Sequence, residues 1–314
     1  MLKLKNSIFL YTFAVTLAGM QPCKAQVMNF SPDSDEPIEV TAEDGLELHQ
    51  KEHKVYAYKN VKVTKGGLTL TADNISADYR QGQSGSNELW RLNAFGNVIM
   101  TSEGRIAKGE NAEYLTDDDI LTINGKQSFL DTNNEKIWAD TLKYSQSKRI
   151  FTAKGNAKIV KEKGQVQADT ISMEFAENEN GKLEASLLTA EKNVVITTAE
   201  EKATGNKAVY SPKTAKAVLT GNVKLTKSGN TLEGGMATVD LNTGISRLFA
   251  SESGDTANDE NLAENKEKQE VKGEDKTLTE KNNNRVRGVF LPDSIKKSTS
   301  EKVDKNGQID EKQQ

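Results

Sequence analysis

The chain repeats itself, and an internal repeat constrains a fold more tightly than composition does. Extended arms carry a glycine-like residue followed by a polar one, at Asn60, Asn97, Lys126, Asn156, Asn193 and Asn222. The intervals alternate long, short, short, long, short. A second anchor follows each of these at a near-constant offset, at Asp73, Glu110, Asp140, Asp169, Asn206 and Gly235. An earlier half-copy, "IEVTAEDGLELHQ" (Ile38–Gln50), places Glu43 one short interval before Asp73. Two polar loops, around Gly85 and Gly181, account for the longer units. The step from Gly85 to Gly181 equals those from Asn60 to Asn156 and from Asn97 to Asn193. The array is therefore duplicated, six units in two sets of three, at about 36–153 and 154–250 of a repeat domain spanning 36–250.

Each unit is a pair of strands. Phe151, Ala153, Gly155, Ala157 and Ile159 alternate with Lys154, Asn156 and Lys158, and Val61 and Val63 flank Lys62. Period two with β-branched residues marks strands with one apolar and one wet face. The second arms contain a skip: Leu68, Leu70 and Ala72 give way to Ile75, Ala77 and Tyr79, and Val166 and Ala168 to Ile171, Met173 and Phe175. A one-residue slip would turn every later side chain to the opposite face. A slip at the same anchor in every unit marks a bulge or corner that keeps the inward face inward. The small Ala or Gly sits where backbones crowd, and the Asp, Glu or Asn after it caps the bend. A helix would also explain a three-residue step, but the matching i+4 and i+7 positions are missing. Stacked bent pairs make an all-β body, an elongated bent antiparallel jellyroll or solenoid with an apolar inside. At ~4.8 Å per strand it extends roughly 60–70 Å. Periodicity alone leaves open whether that inside is a dry core or a groove for a long apolar ligand.

Composition agrees with an elongated object. Of 314 residues 35% are hydrophobic and only 6% aromatic, a thin supply for a large globular core. Residues 1–25 are expected to be a secretory signal peptide: Lys3 and Lys5 precede the apolar run Ile8–Gly19, and "CKA" (Cys23–Ala25) offers a small-residue cleavage site. A run that short does not span a membrane. "MQP" before Cys23 does not suit a lipoprotein signal. Cleavage after Ala25 removes the single cysteine, and with it disulfide, thiol and metal–thiolate chemistry. It also removes Lys3, Lys5 and Lys24, taking the formal charge from −4 to about −7, which disfavours nucleic acid as a partner.

"EPIEVTAEDGLEL", "VYAYKNVKVTKGGLTLTADNISADY" and "LTGNVKLTKSGNTLEGGMATVDLNTGISRLF" resemble the LptA/OstA family of periplasmic lipopolysaccharide-export proteins. The likeness covers about residues 36–250 and is weaker in the middle, where Lys126 replaces Asn and "AKGENAEY" departs from "AD". It implies a twisted β-jellyroll whose interior holds lipid A acyl chains. The inward candidates for that lipid groove are Val61, Val63, Leu68, Leu70, Val98, Ile159, Val166, Ile171, Val194, Ile196, Val223 and Leu225. It implies edge strands at both ends, with Ile38, Val40, Val239 and Leu241 as the edge-pairing candidates. These edges would join an inner-membrane LptC-like partner, further copies of the chain head to tail, and an outer-membrane LptD-like translocon. Periplasmic location follows from the cleaved signal, which separates the chain from membrane-anchored LptC-like relatives. No cofactor is expected.

Residues 251–314 are a charged tail with 12 basic and 15 acidic residues and little apolar periodicity, a composition typical of disorder. One apolar island, "RVRGVFLP" (Arg285–Pro292), is either a chance cluster or a short strand for an open sheet edge, its own or a partner's. Other chemistry is sparse. His49 and His53 flank a turn without an evident third metal ligand, and "TDDDI" (Thr116–Ile120) lacks the surroundings of a calcium loop. Repeated acids could suggest a carbohydrate-cleaving β-helix, but a catalytic pair would be singular and these recur in every unit. The competing reading is a structural or adhesive surface repeat protein with a dry core and no lipid.

Overall fold

A computed structural model describes residues 37–82, 87–132, 134–161, 164–199, 201–240, 242–243, 245–251 and 285–289. The expected signal peptide, the Gly85 loop, Leu241 and nearly all of the charged tail lie outside the described residues. The first strands are short: β1 (Glu39–Thr41) and β2 (Gly45–His49). Long strands follow as β3 (Lys54–Lys65), β4 (Leu68–Gln81), β5 (Asn87–Ser102), β6 (Arg105–Leu115), β7 (Ile120–Asp131) and β8 (Lys136–Ser145). The second half contributes β9 (Ile150–Lys161), β10 (Gly164–Glu177), β11 (Leu183–Thr197), β12 (Glu201–Ser211), β13 (Lys216–Lys227) and β14 (Asn230–Asp240). Two short strands finish the sheet, β15 (Ile245–Phe249) and β16 (Arg287–Val289). From β3 to β15 each strand pairs with its successor, every pair antiparallel, while β1 and β2 share β3, and β15 and β16 share β14. The fold is one open, all-β antiparallel meander.

The skips in the sequence are corners. Register shifts fall at Tyr58/Val61 in β3, Phe95/Val98 in β5, Glu191/Val194 in β11 and Thr220/Val223 in β13, and the even strands shift beside them. At each of these corners two consecutive residues take left-handed backbone angles: Lys59 and Asn60, Gly96 and Asn97, Lys192 and Asn193, Gly221 and Asn222; Gly155 and Asn156 do the same in β9. Asn tolerates that region and Gly enters it freely. In β5, β9 and β11 an acid of the preceding strand then locks the corner. Asn97 donates to Asp73 at 3.0 Å, Asn156 to Asp140 at 3.0 Å and Asn193 to Asp169 at 3.0 Å. The Asp carboxylate lies directly on the glycine: a Cβ at Gly155 would come within 2.3 Å of Asp140 Oδ2.

β7 departs from the pattern. Against the same Thr141 and Trp138 of β8, β9 runs from Lys154 to Lys158, whereas β7 runs from Asn124 to Phe129, one residue more. Lys126 therefore stands at the expected anchor without the left-handed pair, and only its backbone N–H reaches Glu110, at 3.4 Å. The duplication is visible in the long hairpins. A second register shift falls at Tyr79↔Leu89 in the first and at the equivalent Phe175↔Ala185 in the second.

The corners divide every long strand into two segments and so divide the sheet into two walls. The first wall contains Val61–Lys65 of β3 and its neighbours; the second contains Lys54–Tyr58 and its neighbours. Among the described residues there is no helix to cover either wall, yet Val61, Ala153 and Ala203 are 0% exposed. A single sheet buries side chains that fully only by closing its walls on each other. A cavity of about 30 Å³ confirms the facing, because Ile159, Val166 and Ile196 line it from the first wall and Ile171, Leu188 and Tyr210 from the second.

If the corner sets the fold, Gly155→Ala should cost roughly 2 kcal/mol or more, combining about 1–2 for the left-handed backbone with displacement of Asp140. Gly67→Ala, with open space around it, should stay within about 0.5 kcal/mol. Denaturant midpoints compare the two; equal costs would remove the corner from its structural role.

Candidate functional site

The candidate site is the space between the walls. On the first wall one row of directly paired residues crosses the sheet: Val40, Val63, Leu70, Met100, Ala107, Leu130, Ile137, Ile159, Val166, Ile196, Ala203, Leu225 and Leu232. No polar residue interrupts it. On the second wall the corresponding row mixes bulk and space, with Ile75 between Ala57 and Ala94, and Ile171 between Ala153 and Ala190. A further row on that wall is aromatic: Tyr144 pairs with Phe151, and Tyr114 and Tyr210 occupy the same line. Burial raises the pKa of the Tyr144 and Tyr210 hydroxyls.

Of the twelve inward candidates, eleven are buried and Val166 is half-buried at the edge of the cavity. The outward face carries a separate continuous row that includes Lys62, Ile99, Phe129, Trp138, Lys158 and Lys224. There Trp138 packs against Phe129 at 5.3 Å, and Lys158 Nζ lies 5.7 Å over the Trp138 ring. Amphipathic alternation thus separates the two faces along the whole array.

The margin of the first wall is charged. Lys161 Nζ reaches Glu135 at 3.3 Å and Lys227 Nζ reaches Glu201 at 2.7 Å, each side chain largely buried. Sequence reasoning missed both pairs, because each joins residues far apart in the chain: Lys161 at the end of β9 meets Glu135 just before β8, and Lys227 at the end of β13 meets Glu201 at the start of β12. The paired Lys and Glu keep the margin of the wall polar while its inward face stays apolar.

The remaining candidates are engaged by the protein itself. His49 holds Glu47 at 3.1 Å and packs edge-on to Tyr56, while His53 packs edge-on to Tyr79. The Glu47 hydrogen bond raises the His49 pKa. Asp117 accepts a two-pronged bond from Arg80, which lowers its pKa, and Asp119 accepts from the Tyr114 hydroxyl at 2.8 Å.

The edge candidates divide. Ile38 is exposed and Val40 half-buried at the outermost strand β1, as an edge requires. Val239 is not on an edge: β15 pairs with it through Ser246 and buries it to 2%. The sequence "MATVDLNTGISRLF" folds into a hairpin, and its second arm takes the outer position.

The family described as "LptA/(LptD N-terminal domain) LPS transport protein" matches twice, at residues 39–137 and 136–245, so the duplication is a duplication of that domain. An uncharacterized protein of Rhizobium meliloti (strain 1021) is 25% identical over 139 residues, covering 40% of this chain and 74% of its own. The crystal structure of LptH, the LptA homologous periplasmic component of the lipopolysaccharide transport device of Pseudomonas aeruginosa, aligns over 83% of this chain and 99% of its own, at 15% identity and a TM-score of 0.19. With both halves of its repeat domain matched, this chain belongs to the LptA/LptD N-terminal domain family of lipopolysaccharide transport proteins.

Proposed function

We propose that the two walls hold the acyl chains of lipopolysaccharide, and that the chain serves in the periplasm as a bridge between an inner-membrane LptC-like and an outer-membrane LptD-like protein. The observation that carries this reading is the apolar row that runs without interruption from β1 to β14 and is not closed by a polar cap at either described end. A core that only stabilises needs no continuity from end to end. A path for alkyl chains does, because each polar interruption left without a partner would cost on the order of 1–3 kcal/mol. Open ends also suit head-to-tail copies that extend the path.

One observation favours the alternative of a dry structural core. The cavity between Ile159 and Ile171, about 30 Å³, has room for little more than water and none for an alkyl chain. The lipid reading therefore requires the walls to part. The corners allow this, because the interior between the walls is held by apolar contact while the corners alone join them covalently.

A photo-reactive amino acid at Val223 or Leu225, introduced in cells, is expected to crosslink lipopolysaccharide, and one at the outward Lys224 is not. Crosslinking at Lys224 as strong as at Val223 would contradict the assigned facing. Absence of lipid adducts at every inward position would favour the dry core.

Substitutions test the assigned facing from another side. Val63→Asp, Leu70→Asp or Ile159→Asp should abolish support of outer-membrane assembly. Lys62→Asp or Lys158→Asp should leave it within about twofold, since surface changes alter stability by no more than about 0.5 kcal/mol. Equal tolerance of the two sets, measured by growth in detergent, would overturn the groove.

A further inference from the structure

The carboxy-terminal end of the sheet is built from two pieces that are remote in sequence. β15 pairs with Met236–Asp240 of β14 on the second wall. β16 pairs with Thr231–Glu233 of β14 on the first wall, with Arg287 against Glu233 at 4.0 Å. Both run antiparallel to β14, so β16 continues the line of β15 across the corner, although residues 250–286 separate them in the chain. The apolar island of the tail thus supplies half of the last strand.

The amino-terminal end has the same dimensions. β1, three residues long, lies on the first wall, and β2, five residues long, lies on the second. At the other end β16 has three residues on the first wall and β15 five on the second. The directions also fit. The β1–β2 pair runs from first wall to second, like every even-numbered long strand, and β15–β16 runs from second to first, like every odd one. Placing β1–β2 of one copy beside β15–β16 of another therefore continues the antiparallel meander in step on both walls.

Two further observations select this pairing. Six of the nine exposed large apolar side chains among the described residues sit on or beside these end strands: Ile38, Leu46 and Leu48 at one end, Ile245, Val286 and Val289 at the other. The excess charges oppose. Glu39, Glu43, Asp44 and Glu47 crowd the first end, with Lys59 beside Glu43 and Asp44, and Arg247, Arg285 and Arg287 the second, with Glu233 beside Arg287. Like ends repel and unlike ends attract, which selects head-to-tail order.

We infer that β16 is a working part of the docking edge: the tail segment Arg285–Val289 completes the surface that receives the β1–β2 edge of a second copy of this chain. Without it the first wall stops at β14 while the second continues to β15, and a partner edge meets a step one strand deep, about 4.8 Å. The inference rests on the head-to-tail part of the proposed function and not on lipid.

The test uses the full chain without lipid, sedimented across concentration. Deleting residues 285–289 should weaken self-association by on the order of tenfold or more. The deleted chain should still bind the wild type, because its own β1–β2 edge is intact, and this separates a lost edge from a misfolded chain. Thr231 and Val289 are directly paired, so Thr231→Cys with Val289→Cys, in a chain also carrying Cys23→Ser, should lock β16 in place within one chain. The locked form should associate at least as well as the wild type. Stronger association on deletion, or loss of association on locking, would make β16 a blocking cap and overturn the inference. Equal association with and without the segment would also overturn it while leaving edge docking intact. A wild type that stays monomeric throughout would overturn both.

Discussion

The left-handed bend in each long odd strand except β7, braced in β5, β9 and β11 by an Asp of the preceding strand, is the constraint from which the rest of the structure follows. A meander of twelve long strands without corners would be a single twisted sheet with one apolar face open to water. Two left-handed residues on each long odd strand, except β7, turn the chain; Asp73, Asp140 and Asp169 accept from the Asn of the pair in β5, β9 and β11, and at Gly96 and Gly155 the carboxylate also fills the hollow of the glycine. The extra residue keeps alternation in phase across the bend, so inward side chains stay inward on both walls. Each corner is worth little by itself. Repetition aligns the corners along one line and makes that line the spine of the molecule.

From the spine come the apolar interior and its ends. Because each strand contributes to both walls, the apolar rows grow with every repeat and stop only where strands stop. The terminal strands therefore inherit exposed apolar side chains as a consequence of the architecture, and with no further strand beyond them among the described residues their outer edges are templates for pairing. Charge then selects among possible pairings. Buried Lys–Glu pairs along one margin hold strands together where the apolar contact ends, and leave the floor between the walls free of charge.

Much of this was legible in the sequence because periodicity survives translation into structure. Alternation identified the inward set from Val61 to Leu225, and the recurring skip located the corners. Three features were not legible. The anchors were visible as pairs along one hairpin, Asn60 with Asp73 and Asn156 with Asp169. The contacts that matter instead join Asp73 to Asn97 and Asp169 to Asn193, on adjacent strands of different hairpins. The extra residue in β7 hid behind Lys126, which aligns by spacing but not by backbone angle. The pairing of Gly288 with Leu232 joins remote segments through chain of low complexity, and only the free edge of β14 indicates where Arg287–Val289 belongs. Val239 was misplaced for a related reason: a hairpin turn at Asn242–Thr243 sends the outer position to β15.

The central claim is that corner-joined walls part to admit alkyl chains. It is tested most directly by the distance between spin labels on the outer faces of the two walls of one strand, at Thr152 and Lys158 of β9, in a Cys23→Ser background. Addition of lipopolysaccharide should shift that distance distribution to longer values, and lipopolysaccharide stripped of its acyl chains should leave it unchanged. A distribution unaffected by intact lipopolysaccharide under conditions where binding is measured would contradict the account, because lipid would then be held outside walls that never open.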